Sequence, residues 1–242
     1  MKIIGVIPAR WGSTRFPGKP LADLLGKPLV VRVYEQAKKC RLLAEVIIAT
    51  DDRRILAAAK SFSALAVLTG KDCLSGTDRI AEVVRNIPAD IVVNIQGDEP
   101  LINPRAITAA IKPLLADEQV LVSTLACPLN NKEDLDNPNV VKVVLDKKGY
   151  ALYFSRSVIP YSRDTLDPLR YKKHLGLYVY RKDFLKVITR LPMSPLEKIE
   201  KLEQLRILEN GYKIKVVFTK YDTIGVDTPE DLIKITGGKK SD

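Results

Sequence analysis

The sequence predicts an α/β fold in which a mixed, mostly parallel sheet is flanked by helices and carries a β-hairpin extension. Three observations predict it. Short apolar runs at residues 3–7, 46–49, 65–68 and 91–95 have the length and continuity of strands buried on both faces. Helix-patterned stretches separate these runs, and strand–helix–strand alternation builds a parallel sheet through right-handed crossovers. After about Val120 the rhythm changes to runs at 120–126, 140–145 and 150–154. The last two are joined by Asp146, Lys147, Lys148 and Gly149, a short glycine-containing turn that reads as a hairpin.

The helices follow from their start signals. Pro28 begins an amphipathic stretch through Lys39, Asp51 stands where it can cap residues 52–60, and Thr77 where it can cap residues 78–85. Ser194, Pro195 and Glu197 combine a cap, a proline at the first helical position and a reciprocal glutamate, which predicts one long helix running to Gly211. Thr228, Pro229, Glu230 and Asp231 repeat the device and open a C-terminal helix. There is no repeat, low-complexity tract or linker, so residues 1–242 read as one domain, with 127–180 as an extension; a protruding arm there suits a dimer contact.

The 242 residues are 46% hydrophobic and 28% charged, enough to bury a sizeable core and contrary to extended disorder. Cys40, Cys73 and Cys127 have no metal-ligand spacing and His174 is the only histidine, so no zinc site is expected. An odd number of unframed thiols suits a reducing compartment. The opening residues are no signal peptide and no run approaches a bilayer span, so a cytoplasmic location without membrane contact is expected. A net charge of +10 invites a nucleic-acid reading. The basic residues are scattered, however, apart from Lys239 and Lys240, and an aromatic-rich β-face motif is missing; an RNA-binding module ranks a distant second to an enzyme acting on small anions.

The loop after the first strand, Pro8 to Pro20, places Arg10, Arg15, Lys19 and two glycines where open α/β sheets bind ligands. Glycines let main-chain amides approach an anion, and Arg10 and Lys19 can neutralise phosphates; a basic surface loop is the plain alternative. It is neither a Walker loop nor a dinucleotide fingerprint. Ser75, Gly76 and Arg79 lie at a helix entry, which suits a phosphate or base carbonyl, although capping explains Ser75 equally well. Gln96, Gly97, Asp98 and Glu99 follow the fourth strand, and Asp98 is the candidate ligand for Mg²⁺, its plain alternative being a turn acid that caps the following segment. Asp227 precedes the last helix; convergence with Asp98 permits a metal clamp on phosphates, while its plain role is to complement the helix dipole. Arg156, Arg163, His174, Glu203 and Gln204 form a cationic and hydrogen-bonding group suited to a carboxylated polyol, though singly each fits a solvated surface.

Together, IPARWGSTRFPGKPL, ATDD, SGTDRIAEVV, VNIQGDEPLI, NPNVVKVVLDKKGYALYFSRSVIPYSR, KHLGLYVYR, SPLEKIEKLEQLR and GVDTPEDL resemble the 3-deoxy-manno-octulosonate cytidylyltransferases, the CMP-Kdo synthetases, along nearly the whole chain. Sialic acid synthetases share the IPAR opening but diverge after it. The resemblance implies a Rossmann-like nucleotide-binding sheet and a homodimer, with residues 127–180 serving dimerisation and acceptor binding. It also implies Mg²⁺ as cofactor, CTP and Kdo as substrates, CMP-Kdo and pyrophosphate as products, and a place in lipopolysaccharide biosynthesis. By motif, Ala9, Arg10, Lys19, Ser75, Gly76 and Arg79 would bind the nucleotide, and Asp98 and Asp227 the metal. Arg10, Lys19, Asp98 and Asp227 would form the catalytic set. Arg15, Gln96, Arg156, Arg163, His174, Tyr178, Glu203 and Gln204 would shape the sugar pocket. Trp11 occupies a variable position and receives no role, and residues 164–171 form a segment of variable length. Another acidic sugar, 8-amino-Kdo or a sialic-type acid, is the nearest alternative acceptor.

Overall fold

The computed structural model describes residues 1–12, 16–73, 75–129, 131–163, 171–223 and 225–236. The chain forms two compact units, one of residues 1–108 with 223–242 and one of residues 109–222.

The first unit runs β1 (Ile3–Ala9), a 3-10 turn (Lys19–Leu21), α1 (Leu29–Lys38), β2 (Glu45–Thr50), α2 (Arg53–Ser61), β3 (Ala66–Leu68), α3 (Gly76–Val84) and β4 (Ile91–Asn94). α4 (Pro104–Ala116) then leads into the second unit. The four strands lie parallel in the order β3, β2, β1, β4, with Val6 opposite both Ile47 and Asn94. Ile4, Val6, Ile7, Ile48, Val92 and Val93 are wholly buried, as runs apolar on both faces require. Each such side chain contributes roughly 1.5–3 kcal/mol by leaving water. All four anticipated strands are present, but the run at 65–68 is not buried on both faces: among the described residues β3 is the edge strand, paired only with β2, and Leu65, Val67 and Leu68 are exposed.

Two helix starts differ from expectation. Asp52, not Asp51, caps α2 by accepting from Arg54 N at 2.8 Å. Asp51 instead accepts from buried Arg79 at 2.7 Å. α3 begins two residues earlier than a Thr77 cap would allow, because Ser75 and Asp78 form a reciprocal capping box. Thr77 is buried within the helix.

The second unit holds β5 (Val122–Pro128), α5 (Lys132–Asp136), β6 (Lys142–Leu145), β7 (Ala151–Ser155), β8 (Lys172–Arg181), α6 (Lys182–Ile188), α7 (Pro195–Glu200), α8 (Leu205–Glu209) and β9 (Lys215–Phe218). β5 pairs antiparallel with β8 and parallel with β9. β6 and β7 form the anticipated hairpin, and β6 also joins β8 through Lys142 and Lys173. Lys142 is fully buried, yet its ammonium donates to the carbonyls of Asn137, Val140 and Arg156 at 3.1, 2.7 and 2.7 Å. Three carbonyl dipoles make a buried cation tolerable, while desolvation pulls its pKa down.

The single long helix expected from Ser194 to Gly211 is two short ones. The cap forms as anticipated, with Ser194 N donating to Glu197 at 3.2 Å, but Lys201 adopts φ 54° and ends α7. The broken end is held from elsewhere: Arg156 donates Nε to Glu200 O at 2.7 Å and NH2 to Lys201 O at 3.4 Å. Arg206 folds α8 back through a paired contact with buried Glu197, at 2.7 and 2.6 Å. Glu203 and Gln204 therefore lie in the break, not along a helix. The last element, α9 (Pro229–Thr236), belongs to the first unit and opens as expected, with Thr228 N donating to Asp231 at 3.1 Å. Among the described residues no helix is long and apolar enough to cross a membrane.

Candidate functional site

In the first unit the carboxyl ends of β1 and β4, the start of α3 and the segment before α9 converge on a cavity of ≈ 460 Å³. Ala9, Arg10, Lys19, Ser75, Gly76, Arg79, Gln96, Asp98 and Asp227 all line it. Every sequence-predicted nucleotide and metal residue is thus brought together, and Gln96 joins them. Arg15 lies outside the described residues, as do residues 164–170, Lys239 and Lys240.

Two main-chain details set this geometry. A Cβ at Gly97 would stand 2.8 Å from Pro8 O, so only glycine lets the turn after β4 pass against the end of β1. Val226 N then donates to Asp98 O at 2.9 Å, which seats Asp227 beside Asp98. Val226 is anchored by its own cluster with Leu24 and Leu29, against which Phe16, Leu232 and Ile235 pack. The two carboxylates consequently share one cation: Lys19 Nζ lies 2.8 Å from Asp98 Oδ2 and 3.2 Å from Asp227 Oδ1.

The charges around the cavity are not equivalent. Arg10 is exposed where it lines the cavity, free to meet an anion. Arg79 is buried and its charge is met by Asp51 at 2.7 Å; it also donates to Thr69 Oγ1 and to Gly70 O at 3.5 Å. A neutralised guanidinium held this way suits hydrogen bonding to a base or ribose better than phosphate neutralisation. Ser75 spends its hydroxyl on the α3 cap. Cys73 lines the cavity as well, a residue that sequence reasoning passed over, because an isolated cysteine carries no positional signal. Burial and its bond to Glu82, at 3.1 Å, push its thiol up to about 11, so it is a neutral wall rather than a nucleophile.

Among the described residues no three His, Cys, Asp or Glu side chains cluster as a self-sufficient metal cage. Two carboxylates facing one cation fit a hard ion that completes its shell with phosphate oxygens and water.

The sugar-pocket candidates of the second unit separate by behaviour. His174, Tyr178 and Phe154 pack ring to ring, with centroids 5.4 Å apart for His174 and Tyr178 and 4.9 Å for His174 and Phe154. His174 Nε2 lies 3.0 Å from Thr124 Oγ1. Desolvation pulls its pKa from 6.5 down to about 3, so within this group it is a neutral hydrogen-bonding member. Burial, with Tyr180 and Glu203 nearby, raises the Tyr178 phenol and keeps it protonated. Gln204 Nε2 is buried with no hydrogen-bond partner among the described residues. Arg163 is exposed, whereas Arg156 commits its guanidinium to carbonyl oxygens, including Pro138 O at 2.8 Å. Arg156 therefore stabilises the α7 end and does not offer a fork to a carboxylate.

His174 gives a stability prediction. Its folded pKa lies below the unfolded 6.5, so the unfolded chain binds the extra proton between 6.5 and about 3. The stability tied to neutral His174 is complete above pH 6.5 and is lost as pH falls, by up to roughly 3 kcal/mol at pH 4. Urea unfolding across this range should show a steeper acid limb for the native chain than for His174→Gln; identical limbs would contradict the burial.

The Cytidylyltransferase family profile matches residues 4–214. The 3-deoxy-manno-octulosonate cytidylyltransferase of Solibacter usitatus is 54% identical over 235 residues, covering 97% of this chain and 93% of the relative. The enzyme of the same name from Geotalea uraniireducens is 53% identical over 245 residues, covering 97% of this chain and 98% of its own. A solved CMP:2-keto-3-deoxy-manno-octonic acid synthetase complexed with CTP superposes with a TM-score of 0.92 at 43% identity, covering 98% of each chain.

Proposed function

The chain belongs to the cytidylyltransferase family, and from that premise we propose that it couples CTP to 3-deoxy-D-manno-octulosonate, Kdo, and releases pyrophosphate. The observation that carries this reading is the meeting of Asp98 and Asp227 on one ammonium beside Arg10, in a cavity large enough for a nucleotide. The name shared by full-length relatives supports Kdo as acceptor.

The anomeric hydroxyl oxygen forms a bond to the α-phosphorus of CTP. The bond from that phosphorus to the β-bridging oxygen breaks, its electron pair leaves with pyrophosphate, and the hydroxyl proton passes to solvent. Both substrates are anions, so charge neutralisation and alignment are the main catalytic terms. Arg10 and Lys19 hold the triphosphate. Arg79, oriented by Asp51, reads the cytidine together with Ala9, Ser75 and Gly76. The sugar-reading candidates are Gln96 and Arg15 in the first unit and Arg163, Tyr178, Glu203, Gln204 and neutral His174 in the second; sugar hydroxyls suit uncharged donors and acceptors. Asp98 and Asp227 would hold Mg²⁺, which when bound would supply neutralisation of phosphate charge and acidification of the attacking hydroxyl.

A cytoplasmic homodimer that supplies activated Kdo for lipopolysaccharide completes the reading. The deciding assay is pyrophosphate release with CTP, Mg²⁺ and Kdo, each withheld in turn. Release should require all three and should fall at least tenfold when 8-amino-Kdo or N-acetylneuraminate replaces Kdo. Full release without Kdo, or a preference for either substitute, would displace it as acceptor.

A further inference from the structure

The first loop of the chain is closed by a contact that neither the resemblance nor the proposed reaction uses. The Trp11 indole carries the Arg54 guanidinium 3.4 Å above its ring centroid. Arg54 is itself held in place by Asp52, the α2 cap, which accepts from its Nε at 3.0 Å and its NH2 at 2.7 Å. This pairing drives the Asp52 carboxyl down to about 2, so the Asp52–Arg54 pair stays ionised at neutral pH. The indole also abuts Gly18: a Cβ there would stand 2.8 Å from the ring, and Gly18 N donates to Trp11 O at 3.3 Å. Gly18 has φ 73°, the left-handed conformation that glycine adopts without strain.

The indole is thus layered between a guanidinium anchored on α2 and the main chain at the far end of its own loop. Trp11 directly follows Arg10, and Gly18 directly precedes Lys19. The two layered residues are therefore each one peptide from a cavity-lining cation. We propose that Trp11 and Arg54 are positioning residues that clamp the two ends of this loop, so that Arg10 and Lys19 are presented together to the nucleotide's phosphates. The inference rests on the proposed nucleotide reading of the cavity. Its physical basis is preorganisation: a loop already closed loses less conformational freedom when triphosphate binds, so affinity is gained without any direct contact to the ligand. Cation–π stacking adds to the indole's packing and is largest for tryptophan.

Trp11 is the only tryptophan in the chain, so its fluorescence reports on the clamp alone. In the native chain CTP should change that emission, and Arg54→Ala should shift it in the absence of nucleotide. Trp11→Ala and Arg54→Ala should each raise the Kd and KM for CTP about five- to tenfold, leaving kcat within twofold and the KM for Kdo unchanged. The double variant should be no worse than the worse single one, since the two residues act as a unit. Trp11→Phe should recover most of the loss. A general folding role would instead lower kcat and disturb both KM values. Additive single effects, an unchanged CTP affinity, or emission indifferent to Arg54→Ala would each overturn the clamp. Calorimetric CTP binding needs no acceptor, so a wrong sugar leaves this test intact. A native chain that fails to bind CTP would end the underlying reading and the clamp with it.

Discussion

Replacing Asp98 with Asn is expected to cut pyrophosphate release by about 10³-fold while moving the unfolding midpoint very little. The asymmetry follows from how the residue is held. Its main-chain carbonyl accepts from Val226 N, and this bond, which seats Asp227, survives the substitution. Its carboxylate is 30% exposed and meets Lys19 in a partly solvated pair, so the stability contribution is small. The chemistry loses far more. A neutral amide oxygen is a poor ligand for a hard cation, and among the described residues no third carboxylate joins the pair to take its place. Asp227→Asn should behave alike, and the double variant should be no slower than the worse single one, because groups that hold one ion act together. Ordinary turnover by Asp98→Asn at saturating Mg²⁺, with a native melting curve, would remove the carboxylate pair from the reaction.

The first unit was largely legible because its signals are local. Runs apolar on both faces specify strands buried on both faces, and the strand order then brings the loops after β1 and β4 to one edge. What escaped was decided by partners distant in sequence. Asp51 and Asp52 are chemically identical candidates for the α2 cap; only the buried guanidinium of Arg79 separates their roles. Residues 194–206 have good helical spacing throughout, but Arg156, about 45 residues away, satisfies the carbonyls that a break exposes. The neutrality of His174 follows from ring packing against Phe154, 20 residues earlier in the chain, and against Tyr178, which the spacing of the motif does not reveal. The convergence of Asp98 with Asp227 rests on one glycine that admits a close main-chain approach and on one hydrogen bond between main-chain groups far apart in sequence, and neither has a signature in the spacing of the motifs.

Lys19→Met should separate two properties that usually fall together: turnover drops by about 10²- to 10³-fold, yet Mn²⁺ binding to the nucleotide-free chain becomes tighter. The loss of turnover follows from removing a cation that neutralises triphosphate. The gain in metal affinity follows from the geometry of the same ammonium, 2.8 Å from Asp98 and 3.2 Å from Asp227, where it holds the carboxylate oxygens a divalent ion would need. Ligand groups tied to an internal cation must be released before metal binds, and a nearby positive charge repels the ion directly. With Lys19 15% exposed and the carboxylates 30% and 44%, solvent screens much of this, leaving a gain of about tenfold. Phosphates that draw the ammonium onto themselves free the same carboxylates, so nucleotide and metal should bind with positive cooperativity in the native chain. Lys19→Met should lose the part of that coupling that comes from freeing the carboxylates and keep the part that comes from phosphate oxygens completing the ion's shell. Electron paramagnetic resonance of free Mn²⁺, titrated with and without CTP, measures both affinities without turnover. Weaker Mn²⁺ binding by Lys19→Met than by the native chain would mean that the ammonium supports the metal site and does not compete for it.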